Sequence, residues 1–371
     1  MRTVTTREND RASRRTPSPS VAYSEATSGR RGEGRFDPVG DIDTLVEIAT
    51  RFHIRGDTQE RIASEFGVHG STVSRALRRA RAVGIVRIEI VRPPRLADAL
   101  AEQLAEVFPI SRALVVEQDP YDIRALGTSA AALVQSMVVD GMRIGLSWGS
   151  SLYHTVRALR VGSVRTIHAS QLCGGFPFAM PGTNARDLIE ILIGGCQHAT
   201  AHYLPAPLIV GSASLREALE TDATISACLQ EARHSDLALV GIGALDDELA
   251  LVMYGLLTKN EQKRLRAKGV VGETCARFFD LHGREVADEI ASRSMGVTLS
   301  DLAAIPSVVA IAAGTRKVAA IHGACLTGVV DTLITDAATA RGLLQLALQT
   351  GEPPRGSPGL GRGRALVGDR G

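Results

Sequence analysis

The residues best placed to do chemistry are Ser147, Trp148, Gly149, Ser150 and Ser151, inside MRIGLSWGSSLYHTVRAL from Met142 to Leu159. The stretch reads as a strand, a tight polar turn and a helix. Hydroxyls and free backbone N–H groups at a helix start make an anion site, because the helix dipole and the unpaired amides favour a phosphate. An ordinary βα turn with no ligand is the plain alternative. Gly145 to Gly149 also spell G-x-S-x-G, in which Ser147 would be a hydrolase serine. No second motif supplies an oxyanion hole or places an acid and a base, so hydrolysis is not the expectation.

A second set of residues suits phosphate and base edges. Phe66 to Ile88 holds no acid and carries Arg75, Arg78, Arg79, Arg81 and Arg87. Leu45, Ile48, Ala49 and Phe52 lie at helical spacing. Asp57 or Thr58 can cap a second helix with Ile62, Ala63 and Phe66 on its buried face, and Gly67 suits a left-handed C-cap. Val68 would dock a third helix running from near Ser71 to Ala82, with Val73, Ala76 and Leu77 inward. Helix, glycine turn and helix describe a helix-turn-helix. Ser71, Thr72 and Arg75 would meet base edges, while Arg78, Arg79 and Arg81 are better placed for phosphates. The alternating Gly84–Ile90 would form a wing. A basic helical hairpin that binds a protein partner is the bland alternative.

The elements that hold these groups follow from composition. The chain has 371 residues, 44% hydrophobic and 22% charged, which suits two globular domains. The net charge is only +2, so attraction to DNA must come from a local patch. Aromatics at 4% argue against a base-stacking platform. The five cysteines, Cys173, Cys196, Cys228, Cys275 and Cys325, contain no C-x-x-C pair, so neither a disulfide framework nor a zinc module is indicated. Cys196-x-His198 is a weak metal hint; no metal and no cofactor are expected. No apolar run spans a bilayer and no signal segment is evident, so a cytoplasmic location is expected.

Residues 1–38 read as a disordered basic extension, in which eight arginines, Arg2, Arg7, Arg11, Arg14, Arg15, Arg30, Arg31 and Arg35, outnumber the acids. Residues 39–92 are the winged helix-turn-helix, and Pro93-Pro94 breaks the chain. Residues 93–349 alternate helices with the strand-like runs ALVVE, RIGLS, LALVGIG and SVVAIAAG, which argues for an α/β domain with a mainly parallel sheet. Residues 350–371 are Pro- and Gly-rich and read as a disordered tail. There is no internal repeat.

The helix-turn-helix together with IGLSWGSSL, LPAPLIV at Leu204, SDLALVGIGAL at Ser235, GVVGETCARFFDLHG at Gly269 and IPSVVAIAAGTRKVAAIHGACLTGVVDTLITDAATARGLL resembles the SorC-type sugar-binding transcriptional regulators. The resemblance runs from about Leu45 to Leu344. It implies an effector domain similar in fold to ribose-5-phosphate isomerase and glucosamine-6-phosphate deaminase. It also implies a tetramer, operator DNA as partner and a phosphorylated sugar as effector. The family's phosphate loop matches Gly149, Ser150 and Ser151. Its acid matches Glu273, its lysine matches Lys317, and a further ligand-side strand end matches Gln171. Some members carry Arg near Gln171, where it can hold a second phosphate; an amide there disfavours a bisphosphorylated ligand. Ala313-Gly314 replaces a usual Gly-Gly, and Glu273 stands where Asp is common.

Each position also has a structural reading. Lys317 could be a solvated helix-start residue, and Glu273 could cap a helix leading to Phe278 and Phe279 in the core. His168, His198, His202 and His322 read as packed among apolar neighbours. The expected function is a ligand-responsive regulator that binds two half-sites as a dimer, with repression and effector-induced release as the default. The alternative is a sugar-phosphate isomerase, deaminase or hydrolase joined to a DNA-binding unit, with Glu273 as the candidate general base. A purely architectural DNA binder is disfavoured by the size of the α/β part.

Overall fold

The computed structural model describes residues 41–86, 95–117, 122–161, 164–176 and 183–351. The chain divides into two compact units, with the boundary between Val91 and Arg92.

The first unit is a cluster of three helices. Helix α1, Ile42–His53, starts at Asp41, whose side chain accepts from the Thr44 amide. Helix α2, Gln59–Phe66, is capped by Thr58 rather than Asp57, and ends at Gly67 with φ 65°. That left-handed residue lets the Val68 N–H donate to the Ala63 carbonyl and turns the chain into helix α3, Gly70–Ala82. Leu45, Ile48, Ala49, Ile62, Ala63, Val73, Ala76, Leu77 and Ala80 form one core. Arg51 of α1 is buried and pairs with Asp57 at 2.8 Å and with Glu65, fixing α2 against α1. Ile85 and Val86 pack on this core. The rest of the expected wing, Arg87 to Ile90, lies outside the described residues, as do residues 1–40, Pro93-Pro94 and 352–371.

The second unit is built on a mixed sheet, mainly parallel. Its strands in chain order are β1 Arg95–Leu96, β2 Arg112–Glu117, β3 Met142–Leu146, β4 Thr166–Gln171, β5 His198–His202 and β6 Leu237–Val240, then β10 Ser307–Ile311 and β11 Thr332–Asp336. Between them in sequence lie β7 Gly243–Ala244, β8 Val270–Thr274 and β9 Arg277–Asp280, which form a separate antiparallel sheet. The large sheet runs β1-β2-β11-β10-β6-β3-β4-β5, all parallel except β1 against β2.

Both faces are covered, which is why the central strands are apolar on both sides. Within β6, Leu237 and Leu239 pack among the helices Ile123–Met137, Ser150–Ala158 and Ala185–Ile193. Ala238 and Val240 point the other way, into a core with the helices Asp98–Val107, Val318–Leu326 and Ala337–Thr350. The side chains alternate with the period of two that a strand requires.

The segment GVVGETCARFFDLHG is a hairpin, which corrects the expectation of a helix leading to Phe278. Strand β8 turns into β9 through Cys275 and Ala276, both at positive φ (50° and 58°). Two successive left-handed residues are what a two-residue hairpin turn of this hand needs. Neither is glycine, so local sequence gave no turn signal. Phe278 and Phe279 are fully buried, as expected of core residues. Of the four histidines expected to be packed, His322 is buried, His168 and His202 are half-buried, and His198 is exposed on edge strand β5, a second correction. Among the described residues no helix is long and apolar enough to cross a membrane, and no group of three or more His, Cys, Asp or Glu could hold a metal.

Candidate functional site

Strand β6 lies between β10 and β3, and all three end on the same edge of the sheet. After β3 the chain turns into the helix Ser150–Ala158 on one face. After β10 it turns through the 3-10 segment Thr315–Lys317 into the helix Val318–Leu326 on the opposite face. Connections that leave neighbouring strand ends for opposite faces open a crevice, the usual ligand site of such sheets. Here it is a cavity of about 320 Å³, lined among others by Ser150, Ser151, Asp246, Glu273, Arg316 and Lys317. That is the lower end of the range for small-molecule sites.

The turn after β3 is built for a close approach. Gly149 sits at φ 133°, a conformation L side chains rarely adopt, and a Cβ there would meet nothing within 4 Å. As the N-cap it offers no side chain, so the first-turn amides of Ser150–Ala158 have no side-chain cap. Ser150 is exposed and Ser151 buried, and both line the cavity. Ser147 is buried and its Oγ accepts from the Gly241 amide at 3.1 Å. Its hydroxyl therefore holds two strand ends together. Among the described residues no histidine lines the cavity, so Ser147 has no imidazole partner there.

Glu273 and Lys317 face the same cavity from the two other sides. Glu273, on β8, is 2% exposed, and its Oε2 accepts from the Ala276 amide at 2.9 Å. Its register partner on β7 is Gly243, where a Cβ would come within 2.3 Å of Glu273 Oε1. Only glycine leaves the carboxylate room. Burial raises the Glu273 pKa to about 7, against the opposing pull of the Ala276 amide and of Lys317. Lys317 is half-buried rather than solvated, and its Nζ donates to the Ile242 carbonyl at 2.9 Å. Burial lowers its pKa, which Glu273 partly offsets. The terminus of β6 is thus gripped by side chains from three directions: Ser147 on the Gly241 amide, Thr274 on the Gly241 carbonyl at 2.9 Å, and Lys317 on the Ile242 carbonyl.

The sequence-selected Gly149, Ser150, Ser151, Glu273 and Lys317 are brought together around this cavity, and Gln171 is not. Gln171 is buried at the end of β4; its Oε1 accepts from the Leu204 amide at 3.0 Å and its Nε2 donates to the Cys173 carbonyl. Its amide serves the main chain, so it gives no reason for or against a second phosphate. Sequence reasoning missed Arg316, which pairs with Asp246 at 2.8 Å and with Glu248, all three on the cavity lining. The acidic run Asp246-Asp247-Glu248 directly after an apolar strand was the available signal. It also missed an aromatic wall in which Trp148 meets Phe176 edge-on at 4.5 Å and Phe176 meets Tyr254 at 6.0 Å.

In the first unit, Ser71, Arg75, Arg78 and Arg79 are exposed on α3 and Thr72 is half-buried. The Arg75 guanidinium donates to the Thr72 hydroxyl at 3.3 Å. The residues of α3 that face the core are Val73, Ala76, Leu77 and Ala80, so its arginines are free of the packing.

The Sugar-bind family model, described as a sugar-binding domain, matches residues 93–345. The chain is 31% identical over 303 residues to the deoxyribonucleoside regulator of Bacillus subtilis, covering 81% of this chain and 96% of that protein. It is 29% identical over 316 residues to the transcriptional regulator LsrR of Klebsiella pneumoniae, covering 83% and 95%. Among solved structures, the full-length sorbitol operon regulator SorC of Klebsiella pneumoniae matches with a TM-score of 0.63 at 26% identity, over 82% of this chain and 99% of that one.

Proposed function

The chain belongs to the SorC-type family of sugar-binding transcriptional regulators, and on that premise we propose that it is a DNA-binding regulator whose operator affinity is set by a phosphorylated sugar in the cavity at the strand ends. The observation that carries this is the convergence of Ser150, Ser151, Glu273 and Lys317 on one cavity. An uncapped helix start and an ammonium group suit a phosphate. A buried carboxyl suits sugar hydroxyls. In this reading the phosphate lies at Gly149–Ser151 and Lys317, and Glu273 accepts from the sugar.

The DNA-reading part is a winged helix-turn-helix over residues 39–92, between a basic extension (1–38) and the effector domain (93–349), with 350–371 as a tail. Ser71, Thr72 and Arg75 address base edges. Arg78 and Arg79 address phosphates, which position the protein without specifying sequence. The protein acts in the cytoplasm as a homotetramer, and the effector releases a repressor from its operator. Relatives named as regulators of sorbitol and deoxyribonucleoside genes support a role in sugar or polyol catabolism. The effector domain is taken as similar to the sugar-phosphate isomerases, without their turnover.

One observation favours a second reading. A carboxyl with a pKa near 7 is suited to general base work, so a sugar-phosphate isomerase or deaminase is the alternative. One experiment separates the two. The purified chain is screened by thermal shift against sugar phosphates and their free sugars, and the hits are added to a mobility-shift assay with DNA from upstream of its own gene. A regulator shows stabilisation by a phosphorylated sugar alone, an altered DNA shift and no turnover. Turnover that is lost in Glu273→Gln supports the enzyme.

A further inference from the structure

The cavity holds five charged side chains whose pairing is uneven. Lys317 lies close enough to Glu273 for each to feel the other's charge. Arg316, next to Lys317 in the chain, is clamped by two carboxylates, Asp246 at 2.8 Å and Glu248. The clamp crosses the fold: Arg316 stands on the 3-10 turn after β10, and the two acids stand on the segment after β7. Asp246 is held in place by its own contacts. Its carboxylate accepts from the Glu248 amide at 2.9 Å, and its carbonyl accepts from Gln262 at 2.7 Å. Two acids on one guanidinium leave a net negative charge on that side of the cavity. The uncapped helix start is positive, as is Lys317, which lies within reach of both the Glu273 and the Asp246 charges.

We propose that the Arg316–Asp246–Glu248 clamp is a specificity determinant that restricts the effector to one phosphate. The inference rests on the phosphorylated-sugar reading above and deepens it. A single phosphate on the Ser150–Lys317 side leaves the clamp intact, and the rest of a sugar presents only hydroxyls to Asp246 and Glu248. A second phosphate would face two carboxylates whose neutralising cation is already engaged. Like charges within a few ångströms repel, and this repulsion is not offset by a free cation. Gln171, whose amide is committed to the main chain, plays no part in the selection.

The test uses the full chain and matched ligands that differ by one phosphate: D-fructose 6-phosphate against D-fructose 1,6-bisphosphate, and D-ribulose 5-phosphate against D-ribulose 1,5-bisphosphate. Affinities are measured by calorimetry at low and high salt for the wild type, Glu248→Gln and the double variant Asp246→Asn/Glu248→Gln. Glu248 is largely exposed, so its amide variant keeps the fold even if the double variant does not. The expected result is a wild-type preference for a monophosphate of about tenfold or more. The preference falls about threefold in Glu248→Gln and about tenfold in the double variant, less so at high salt because the clamp is open to solvent. A wild type that binds a bisphosphate as tightly as its partner monophosphate overturns the clamp. So does a variant series in which both affinities rise together and the ratio stays constant. Absence of binding by all four sugar phosphates removes the effector class itself, and the clamp with it.

Discussion

Glu273→Gln offers a quantitative check on the buried carboxyl. The side chain is 2% exposed and its pKa rises from an ordinary 4.5 to about 7. A tenfold change in proton affinity is about 1.4 kcal/mol, so keeping the carboxylate charged in the native cavity costs about 3 kcal/mol. The sign follows from linkage. Between pH 4.5 and 7 the native state binds more protons than the unfolded state, so stability falls as pH rises through that window. Below it both states are protonated and the penalty vanishes; above it the penalty is complete. Glutamine keeps the oxygen that accepts from Ala276 and removes the ionisation. It gives up the attraction to Lys317, which is the smaller effect here because burial is the leading cause of the raised pKa. The variant is therefore expected to lie within about 1 kcal/mol of the wild type near pH 5 and to exceed it at pH 8 by roughly a further 1–3 kcal/mol. For a unit of this size that corresponds to roughly 2–10 °C in melting temperature. The assay is thermal and urea unfolding of both proteins at half-unit steps from pH 5 to 8.5. Parallel profiles for the two proteins would refute the argument, because they would mean that Glu273 does not titrate with a raised pKa in the folded state.

Lys317→Met keeps the aliphatic stem and removes the ammonium. It should weaken a phosphorylated effector by about tenfold or more, the scale of a charge-assisted hydrogen bond, and leave DNA binding without effector unchanged; calorimetry and mobility shift read the two. Arg75→Ala should cost about 1–3 kcal/mol at its own base pair and relax preference there, measured by competition between single-base operator variants. Arg79→Ala should weaken all sequences alike and reduce the salt slope by about one. Gly243→Ala should destabilise by about 1–3 kcal/mol, since the new Cβ would press on Glu273 Oε1; a wild-type urea midpoint in this variant would mean that the β7–β8 contact yields easily.

The helix boundaries of the first unit were readable because each was written locally: a cap at Thr58, a left-handed Gly67, and apolar residues at a spacing of three and four. The parallel strands were readable as apolar runs bounded by turn residues. The β8–β9 hairpin was not, because its turn uses Cys275 and Ala276, neither of which has a local preference for positive φ. What holds that turn is tertiary. Arg277 is buried and donates to the carbonyls of Ala291, Ser294, Gly296 and Val297, at 3.0 to 3.2 Å. Lys317 and Glu273 could be named from the sequence because family motifs surround them. Arg316 stands in the same motif, but its pairing was hidden, since its partners in the acidic run lie 70 and 68 positions away in the chain. Gln171 shows the opposite failure. Its position at a strand end suggested a ligand contact, but whether a strand-end amide faces the crevice or the main chain depends on the loop that follows the next strand, here Leu204.

The contacts that the cavity residues make with the chain bear directly on how a ligand could be felt elsewhere. A ligand shifts a conformational equilibrium only by its difference in affinity for the two states. In this structure the groups offered to a ligand are already engaged with the chain: Lys317 holds the Ile242 carbonyl, and the Glu273 carboxylate holds the Ala276 amide at the hairpin turn. A phosphate that draws the Lys317 ammonium toward itself would release the Ile242 carbonyl. The end of β6 then keeps only Ser147 and Thr274, both on Gly241. Ile242 leads, through Gly243 and its pairing with Glu273 on β8, into the chain that carries Asp246 and Glu248 to Arg316. On the proposed reading, a phosphate at Lys317 and the placement of the 241–248 segment would be coupled through that hydrogen bond. The coupling is of the order of a charge-assisted bond, about 1.5–3 kcal/mol, which lies within the usual range for allosteric effects. A cavity arranged in this way uses its ionisable groups to position backbone.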